Sequence, residues 1–314
     1  MNKRQVPELS LLSYANGSES EKQKFVQDLF EGLKEYGFII LTDHIVSSDI
    51  ISKGYKAIKT FFALDEETKR SYICKEGGGQ RGYTAFGTEH AKDSPYMDLK
   101  EFWHVGREVE EGHRFFKYYP KNLWPKEVED FEKDMSALYD ALDKTSLLLL
   151  DALGKALDVP ASYFKEMVTC GNSILRPIYY PPVGEAPPAG SVRAAAHEDI
   201  NLITILMGAT SSGLQLLDRD GTWLDVETKE GQLVVDSGDM MARITNDVIP
   251  ATTHRVVNPE DPSSERYSMP FFVHPHPQAE LACIPSCVGE GIKYAPINSH
   301  DFLFQRLREI GLTK

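Results

Sequence analysis

Two histidines and an aspartate are spaced as ligands of one metal ion would be. His197 and Asp199 stand two positions apart in His197-Glu198-Asp199, directly before a strand-like run from Asn201 to Met207. Residues two apart in an extended backbone point to the same side, so the imidazole and the carboxylate can reach one ion while Glu198 points away. His254 opens a later strand-like run, and the chain between is long enough for several strands and a return. These three residues are therefore candidate ligands of one metal ion.

The chemistry of this ligand set depends on the metal that it holds. Two imidazoles and a carboxylate on one face of an ion leave three positions open. Such sites are associated with non-haem iron(II) oxygenases, which need the open positions for O2 and a co-substrate. Zinc accepts the same ligand types, so a zinc hydrolase stays an alternative at this point.

A second histidine pair competes with the first. His274 and His276 have the same spacing, but they follow a strand directly and enclose Pro275, which suits a strand end better than a ligand hairpin. We interpret them as part of an exposed turn. The remaining histidines have no partner at a useful spacing: His44, His90, His104, His113 and His300.

An arginine and a serine form a second constellation. Arg266 and Ser268 lie two positions apart on the strand-like run after His254, so they share one face. A guanidinium fork and a hydroxyl together suit a carboxylate in a partly dry pocket. The apolar residues around Arg266, among them Met269 and Phe271, indicate a buried segment, and a buried arginine needs an anionic partner.

Apolar periodicity predicts helices in the first half of the chain. Residues 21–36 and 49–62 are amphipathic at helical spacing, and a short buried strand, residues 38–41, lies between them. Residues 75–105 are rich in glycine and predict a long loop, which inside a compact domain is often functional. Residues 128–157 predict a long scaffold helix.

The period changes to that of strands from about residue 172. Six strand-like runs follow, separated by clusters of Gly, Pro, Asn and Asp: residues 173–180, 201–207, 213–217, 231–236, 254–257 and 267–273. Several short strands at regular spacing predict a β-sandwich or barrel. Residues 299–310 return to a helical pattern. The chain thus reads as α+β, with a helical N-terminal part, a β core and a C-terminal helix.

Composition and charge indicate which partners to expect. The 314 residues include 47 acidic and 34 basic side chains, a formal net charge of −13, which repels phosphate backbones and anionic lipid. We therefore expect a small-molecule substrate rather than nucleic acid or a membrane. The polar N-terminus and the lack of a long apolar run predict a cytoplasmic protein. The four cysteines are expected to be free thiols.

An ordered set of motifs resembles the isopenicillin N synthase-like group of iron(II)/2-oxoglutarate-dependent oxygenases. The motifs cover most of the chain: Phe38-Ile39-Ile40, Arg81-Gly82-Tyr83, Tyr179-Tyr180-Pro181-Pro182, His197-Glu198-Asp199, Asp236-Ser237-Gly238-Asp239, Thr245-Asn246-Asp247, His254-Arg255-Val256 and Arg266-Tyr267-Ser268. Several motifs in the right order are far more specific than any one of them.

The resemblance implies a fold and a division of the chain. It implies a double-stranded β-helix (jelly-roll) core flanked by N-terminal helices and a C-terminal helix. The expected segments are an N-terminal helical and loop region at 1–120, the scaffold helix at 121–170, the jelly-roll core at 171–280 and a C-terminal segment with its helix at 281–314.

The resemblance also implies roles for single residues. His197, Asp199 and His254 would bind Fe(II) and form the catalytic centre. Arg266 and Ser268 would hold the distal carboxylate of 2-oxoglutarate, with the hydroxyl of Tyr180 as a further contact. Plant members of the family often have Asn two residues before this tyrosine, but here the position is Ile178, so that contact is absent.

The implied reaction uses O2 and 2-oxoglutarate as co-substrates. It yields succinate and CO2 and oxidises an unactivated C–H bond of a small organic substrate, with hydroxylation as the default outcome and desaturation or ring closure as variants. Two alternatives share the fold: an isopenicillin N synthase-type oxidase that needs no 2-oxoglutarate, and a non-enzymatic small-molecule binding protein. The sequence determines neither the substrate nor the oligomeric state.

Candidate substrate residues come from the glycine-rich segment and the strand-like run after it. Arg81, Tyr83 and Phe102 are the first candidates, because polar and aromatic residues in a long loop often line a pocket. Four further residues are possible pocket members on their side-chain type: Phe86, Trp103, Arg193 and Arg243.

Overall fold

The computed structural model describes residues 4–74, 79–89, 96–184 and 187–309. Helices dominate before residue 170 and strands after it, as the apolar periods predict. Within the described ranges the helices are α1 (Leu11–Asn16), α2 (Glu19–Tyr36), α3 (Ser48–Phe62), α4 (Glu66–Arg70), α5 (Phe131–Ala156), α6 (Tyr163–Val168), α7 (Asp239–Ile244) and α8 (Ser299–Glu309).

Sixteen strands are found in the same ranges. They are β1 (Glu8–Ser10), β2 (Phe38–Thr42), β3 (Gly82–Thr84), β4 (Glu101–Gly106), β5 (Ile174–Leu175), β6 (Ile178–Tyr180), β7 (Ala194–His197), β8 (Ile203–Met207), β9 (Leu214–Leu217), β10 (Trp223–Asp225), β11 (Leu233–Ser237), β12 (His254–Val256), β13 (Arg266–Ser268), β14 (Pro270–Val273), β15 (Glu280–Leu281) and β16 (Ile297–Asn298).

Two sheets packed face to face form the jelly roll. The larger sheet has the order β1-β2-β11-β8-β14-β5-β4-β6-β13, with β3 beside β4, and the smaller has the order β10-β9-β12-β7. Side chains from both sheets meet in one apolar cluster that includes Phe38, Ile178, Leu216, Val234 and Val256. The space between the sheets is therefore the interior of the jelly roll, and the two candidate histidine ligands lie on the smaller sheet.

Helices cover the other face of the larger sheet. In β11, Leu233 and Val235 join the helix-side core, whereas Val234 faces the smaller sheet, as the alternation of side chains along a strand requires. Because both faces are buried, the first three residues of β11, Leu233-Val234-Val235, form a continuous apolar run in the sequence. The helix-side core contains α5 and α3, which pack against each other.

The junction between α2 and β2 supports the turn before His254. Gly37 ends α2 with a φ of 67°, and a Cβ added there would collide with the side chain of Thr252. The Thr252 hydroxyl donates to the carbonyl of Tyr36 at 3.0 Å, and the Ser237 hydroxyl donates to the carbonyl of Pro250 at 2.6 Å. Only glycine combines this backbone conformation with so close an approach.

The glycine-rich segment differs from the loop that the sequence predicts. Where the structure describes it, the segment contains β3 and β4, and every residue of β4 is buried. The six-residue strand β4 pairs with β3, β5 and β6, so the flanking glycines mark strand ends rather than one long loop. Residues 75–78 and 90–95, with His90, lie outside the described residues.

The second histidine pair is also placed differently from the prediction. His274 is buried, with 8% of its surface exposed, so the exposed-turn interpretation is wrong for this residue. Burial lowers its pKa to about 4, which keeps the imidazole neutral. His276 is partly exposed and stacks on Phe115, with the ring centroids 5.0 Å apart.

Candidate metal centre

Adjacent strands of the smaller sheet bring the two histidines together. His197 ends β7 and His254 begins β12, and the two residues are direct partners in the antiparallel pairing. Their ring centroids lie 4.4 Å apart with an angle of 53° between the planes. The sequence pattern missed β7, because its short run Ala194-Ala195-Ala196-His197 carries no strong apolar alternation.

Asp199 completes the set from the turn after β7. Its Oδ1 lies 3.9 Å from Nε2 of His197 and 3.9 Å from Nε2 of His254. The three ligand atoms all lie within 4.8 Å of one another. Ligand atoms bound at about 2 Å from one ion must be within about 4 Å of one another, so the pocket needs little adjustment to hold a metal.

Hydrogen bonds orient both imidazoles toward this point. Nδ1 of His197 lies 2.7 Å from the carbonyl of Ala195, and Nδ1 of His254 lies 3.1 Å from the carbonyl of Thr252. A carbonyl can only accept, so Nδ1 carries the proton in each ring and Nε2 presents its lone pair to the centre. This is the tautomer that a metal ligand requires.

A buried polar network holds the carboxylate of Asp199. Its Oδ2 accepts a short hydrogen bond from the hydroxyl of Thr204, and that hydroxyl accepts from Nδ2 of Asn201 at 2.9 Å. Asp236 lies beside them, and burial together with the negative charge of Asp199 holds the pKa of Asp236 well above its usual range. Sequence reasoning did not identify Asn201 and Thr204 as supporting residues, although Thr204 sits on a strand directly after the ligand motif.

The protonation states suit metal binding near neutral pH. Burial and the neighbouring His254 lower the pKa of His197 to about 4, so this imidazole is neutral. Burial alone would raise the pKa of Asp199, but the two nearby histidines lower it overall, so this carboxylate is ionised. Neutral imidazoles and an ionised carboxylate are the forms that bind a cation.

Arg266 and Ser268 occupy the neighbouring part of the larger sheet. β13 pairs with β6, which places Arg266 opposite Tyr180 and Ser268 opposite Ile178. Arg266 is 1% exposed. Its Nη1 donates to the Ser268 hydroxyl at 3.2 Å, and its Nε donates to the Ser211 carbonyl at 3.2 Å. The guanidinium lies 5.0 Å from the centre of the Tyr180 ring.

This guanidinium is buried without a carboxylate. Among the described residues, Arg266 forms no ion pair, and its partners are a hydroxyl, a carbonyl and an aromatic ring. A buried charge without a counter-ion is costly, so the position is prepared for an anion that arrives from outside.

One cleft connects the candidate metal centre to Arg266. It encloses about 560 Å³, including the part open to solvent, and its lining includes His197, Asp199, His254, Arg266 and Ser268, and also Tyr180. A molecule with a carboxylate at one end and further oxygen donors at the other can therefore reach Arg266 and the metal at once.

The first two substrate candidates do not line this cleft. Arg81 is fully buried and donates to the carbonyls of Gln80 and Arg107, at 2.7 and 3.1 Å. Its guanidinium packs so closely on Gly106 that an added Cβ there would collide with Cζ of the arginine. Tyr83 is 2% exposed, and its hydroxyl donates to the carboxylate of Glu101. Both side chains have packing roles in this structure.

The other candidates are divided between the core and the surface. Phe102 is buried behind the cleft wall, with the guanidinium of Arg176 4.6 Å from its ring centre. Trp103 is fully buried in the helix-side core. Arg193 is fully buried and donates to the carbonyl of Ser264 at 2.6 Å. Two more candidates lie outside the cleft lining: Phe86, which is 45% exposed, and Arg243, which donates to the carbonyl of Ala295.

A substitution of Arg81 tests its packing role. Arg81→Met keeps much of the volume but removes two hydrogen bonds to carbonyls, and we expect it to lower the free energy of unfolding by about 1–3 kcal/mol. Urea unfolding measures this loss, with the exposed Arg308→Met as the control. Iron and 2-oxoglutarate binding should not change. If the variant has unchanged stability but a weaker affinity for a substrate, Arg81 is instead a residue of the substrate-binding site.

Comparisons with known proteins agree with this geometry. Residues 171–275 match the model of the 2OG-Fe(II) oxygenase superfamily, and residues 6–127 match the N-terminal model of the non-haem dioxygenases in morphine synthesis. A 2OG-Fe(II) oxygenase family protein from Caulobacter crescentus, known from its crystal structure, is 41% identical, with a TM-score of 0.87 over 96% of this chain and 98% of that chain.

The chain belongs to the 2OG-Fe(II) oxygenase superfamily. Two further relatives match along nearly the whole chain. The 2-oxoglutarate-Fe(II) type oxidoreductase hxnY of Emericella nidulans is 32% identical over 90% of this chain and 83% of its own length. A full-length protein of Neurospora crassa, crystallised with alpha-KG (2-oxoglutarate), is 30% identical, with a TM-score of 0.85 over 96% of this chain and 95% of that chain.

These matches confirm the family and the jelly-roll fold that the motifs imply. As a 2OG-Fe(II) oxygenase, the protein is an oxidoreductase that uses Fe(II), 2-oxoglutarate and O2. The His-Asp-His set is the group of described residues that fits such an iron. None of the helices in the described ranges combines the length and the apolar character that crossing a membrane requires.

Proposed function

We propose that His197, Asp199 and His254 bind the iron and form the catalytic centre. The observation that carries this assignment is their convergence, with three ligand atoms within 4.8 Å of one another at the cleft. The donor set supports it as well, because two imidazoles and a carboxylate leave open positions on the ion for a chelating co-substrate and O2.

We assign Arg266, Ser268 and Tyr180 to the co-substrate. A bidentate contact from Arg266 would neutralise the distal carboxylate of 2-oxoglutarate, and the Ser268 hydroxyl, 3.2 Å from Nη1 of Arg266, would accept from the arginine and donate to the carboxylate. The ring of Tyr180 packs on the guanidinium and orients it. The apolar residues between the sheets exclude water from the carbon chain of the bound 2-oxoglutarate.

The bound iron, together with 2-oxoglutarate and O2, supplies the oxidising power for breaking a substrate C–H bond, with succinate and CO2 as co-products. The protein binds and orients the reactants. The carbonyls of Ala195 and Thr252 keep both imidazoles in the ligand tautomer, and Thr204 keeps Oδ1 of Asp199 directed at the centre. Hydroxylation is the expected outcome.

The substrate is a small organic molecule. The Neurospora crassa protein was crystallised with thymine and with 5-formyluracil, and a relative from Petromyces alliaceus, 29% identical over 86% of this chain, is a proline hydroxylase. The ligands of the first relative and the name of the second support a small substrate. The net charge of −13 supports the absence of nucleic acid and anionic membranes as partners. A cytoplasmic location is part of the same proposal.

The division of the chain belongs to this proposal too. We propose four segments, which follow the order of the elements: a helical and loop region at 1–120, a scaffold helix at 121–170, the core at 171–280 and a C-terminal segment at 281–314. β1 and β2 pair into the same sheet as β11, so these segments share one core.

Anaerobic titration with 2-oxoglutarate tests the co-substrate assignment. The Fe(II)-loaded protein should bind one 2-oxoglutarate per chain and develop the visible charge-transfer band of an iron–2-oxo-acid chelate. The Zn(II)-loaded protein is the control, since the filled d shell of zinc gives no such band. A protein that binds iron but develops no band, and that oxidises a substrate in buffer free of 2-oxoglutarate, would be an oxidase of the isopenicillin N synthase type.

A further inference from the structure

Two cations line the cleft in addition to Arg266. Lys100, before β4, and Arg176, between β5 and β6, both contribute to the wall. Lys100 is 7% exposed. Neither belongs to the metal set or to the pair that we assign to 2-oxoglutarate, so their charges need a separate explanation.

The guanidinium of Arg176 is held rigidly. It lies between two aromatic rings, 4.6 Å from the centre of Phe102 and 5.0 Å from the centre of Phe272. Its Nε–H donates to Nε2 of His104 at 2.5 Å, and Nδ1 of His104 therefore carries a proton that it donates to the carbonyl of Gly79 at 2.9 Å. The hydrogen bond and the two rings hold the terminal nitrogens in place.

The acidic groups near these cations stand behind the cleft wall. Nζ of Lys100 lies 2.8 Å from Glu89 and 2.9 Å from Asp98, and a second oxygen of Asp98 accepts from the backbone of Ala195 at 2.9 Å. Neither acid lines the cleft. Glu89 approaches Arg176 no closer than 3.7 Å, outside hydrogen-bond distance. Glu89 and Asp98 therefore balance the charges of both cations from behind the wall, but among the described residues no carboxylate is hydrogen-bonded to Arg176.

Hydrogen bonding, rather than net charge, leaves Arg176 open to a ligand, because Glu89 stays 3.7 Å from its guanidinium. Fe(II) with Asp199 carries one positive charge and Arg266 a second, and the dianion 2-oxoglutarate balances both. Arg176 and Lys100 offer only hydrogen-bond donors. The molecule that meets them must supply acceptor oxygens, and a carboxylate matches a guanidinium edge in both charge and geometry.

We propose that Arg176 binds a carboxylate of the organic substrate, with Lys100 as a second donor and His104 as the residue that positions Arg176. The substrate class is then small carboxylic acids, held by their carboxylate so that a C–H bond faces the iron. This inference rests on the proposed function, since it takes the metal centre and the 2-oxoglutarate position as assigned above.

Calorimetry on the anaerobic Fe(II)·2-oxoglutarate protein tests this site without turnover. The probes are benzoate, nicotinate and L-proline, each compared with its carboxamide. We expect at least one acid to bind at least tenfold more tightly than its amide. Arg176→Gln should abolish this preference, Arg176→Lys should keep part of it, and the exposed Arg308→Gln should keep all of it. The charge-transfer band shows that each variant is folded and loaded.

Two substitutions of His104 separate positioning from simple structural support. Asn at this position can accept from Nε of Arg176 through its oxygen and donate to the carbonyl of Gly79 through its amide, whereas Leu can do neither. We expect His104→Leu to weaken binding of the preferred acid about tenfold, and His104→Asn to restore most of it. Equal loss in both variants, with the band intact, would refute the positioning role.

The outcomes distinguish this inference from the function on which it rests. If no acid binds more tightly than its amide to the wild-type protein, the carboxylate site is refuted. If Arg176→Gln weakens 2-oxoglutarate instead of the acid, Arg176 belongs to the co-substrate. If the wild-type protein forms no charge-transfer band at all, the proposed co-substrate chemistry fails before the substrate site is tested.

Discussion

We expect the replacement of His254 by alanine to remove iron binding and abolish turnover. The three candidate ligand atoms share one centre, and Asp199 lies 3.9 Å from each histidine nitrogen, so the loss of one imidazole leaves two ligands and an incomplete face. Substitution of residues that merely support ligands lowers metal affinity about 10–100-fold, so we expect loss of a ligand to lower iron affinity by more than about 100-fold. Elemental analysis after anaerobic loading and gel filtration measures this.

His276→Ala is the matched control for this experiment. His276 is partly exposed and stacks on Phe115, away from the cleft lining, so iron content and turnover should stay at the wild-type level. His254 also contacts the ring of Phe38, with the centroids 5.6 Å apart, so urea unfolding must show that the variant is still folded. A folded His254→Ala protein with one iron per chain and normal turnover would refute the ligand assignment.

We expect the replacement of Arg266 by glutamine to raise the dissociation constant of 2-oxoglutarate at least about tenfold. A hydrogen bond to a charged group contributes about 1.5–3 kcal/mol, and each factor of ten in affinity corresponds to about 1.4 kcal/mol. The side chain is 1% exposed, so truncation also leaves the co-substrate carboxylate buried without a counter-ion, which adds to the loss. Titration of the charge-transfer band measures the dissociation constant.

The companion variants make this result specific. Arg266→Lys should recover only part of the affinity, because a point charge cannot make the paired contact of a guanidinium. Arg308→Gln, on the exposed face of α8, should leave the dissociation constant unchanged. Iron content should be equal in all of these proteins. If Arg266→Gln binds 2-oxoglutarate with wild-type affinity, the distal carboxylate must bind to another cation. Arg176, which lines the same cleft, is then a candidate.

The order of helices and strands could be derived from the sequence because it depends on local periodicity. The amphipathic run at 21–36 is α2 (Glu19–Tyr36), and the run at 128–157 is α5 (Phe131–Ala156). Errors occurred where local pattern is weak. β7 has too few large apolar residues to be recognised, and the strand predicted at 173–180 is divided into β5 and β6 by Arg176-Pro177, because proline cannot donate to the ladder.

The candidate metal set was also accessible to sequence reasoning. A spacing of two residues predicts convergence in any extended backbone, so His197 and Asp199 needed only a third ligand from elsewhere. His254, at the start of a later strand-like run, was the candidate for that ligand, and the pairing of β7 with β12 puts it opposite His197. The supporting contacts of Asn201 and Thr204 depend on the turn between Asp199 and β8, and Asp236 reaches Thr204 from the neighbouring strand β11; the spacing of the ligands encodes neither.

The sequence by itself thus determined the element order, the family and the residues that can hold a metal, because each depends on local spacing or on ordered motifs. Only the tertiary structure decided which cations face the cleft. Arg81 was selected from the sequence as a substrate candidate, and Arg176 was not. In the structure Arg81 packs on Gly106, while Arg176 lines the cleft wall beside the rings of Phe102 and Phe272. The direction of a single side chain follows from the register of β4, β5 and β6 and from the neighbours that fill the space around it.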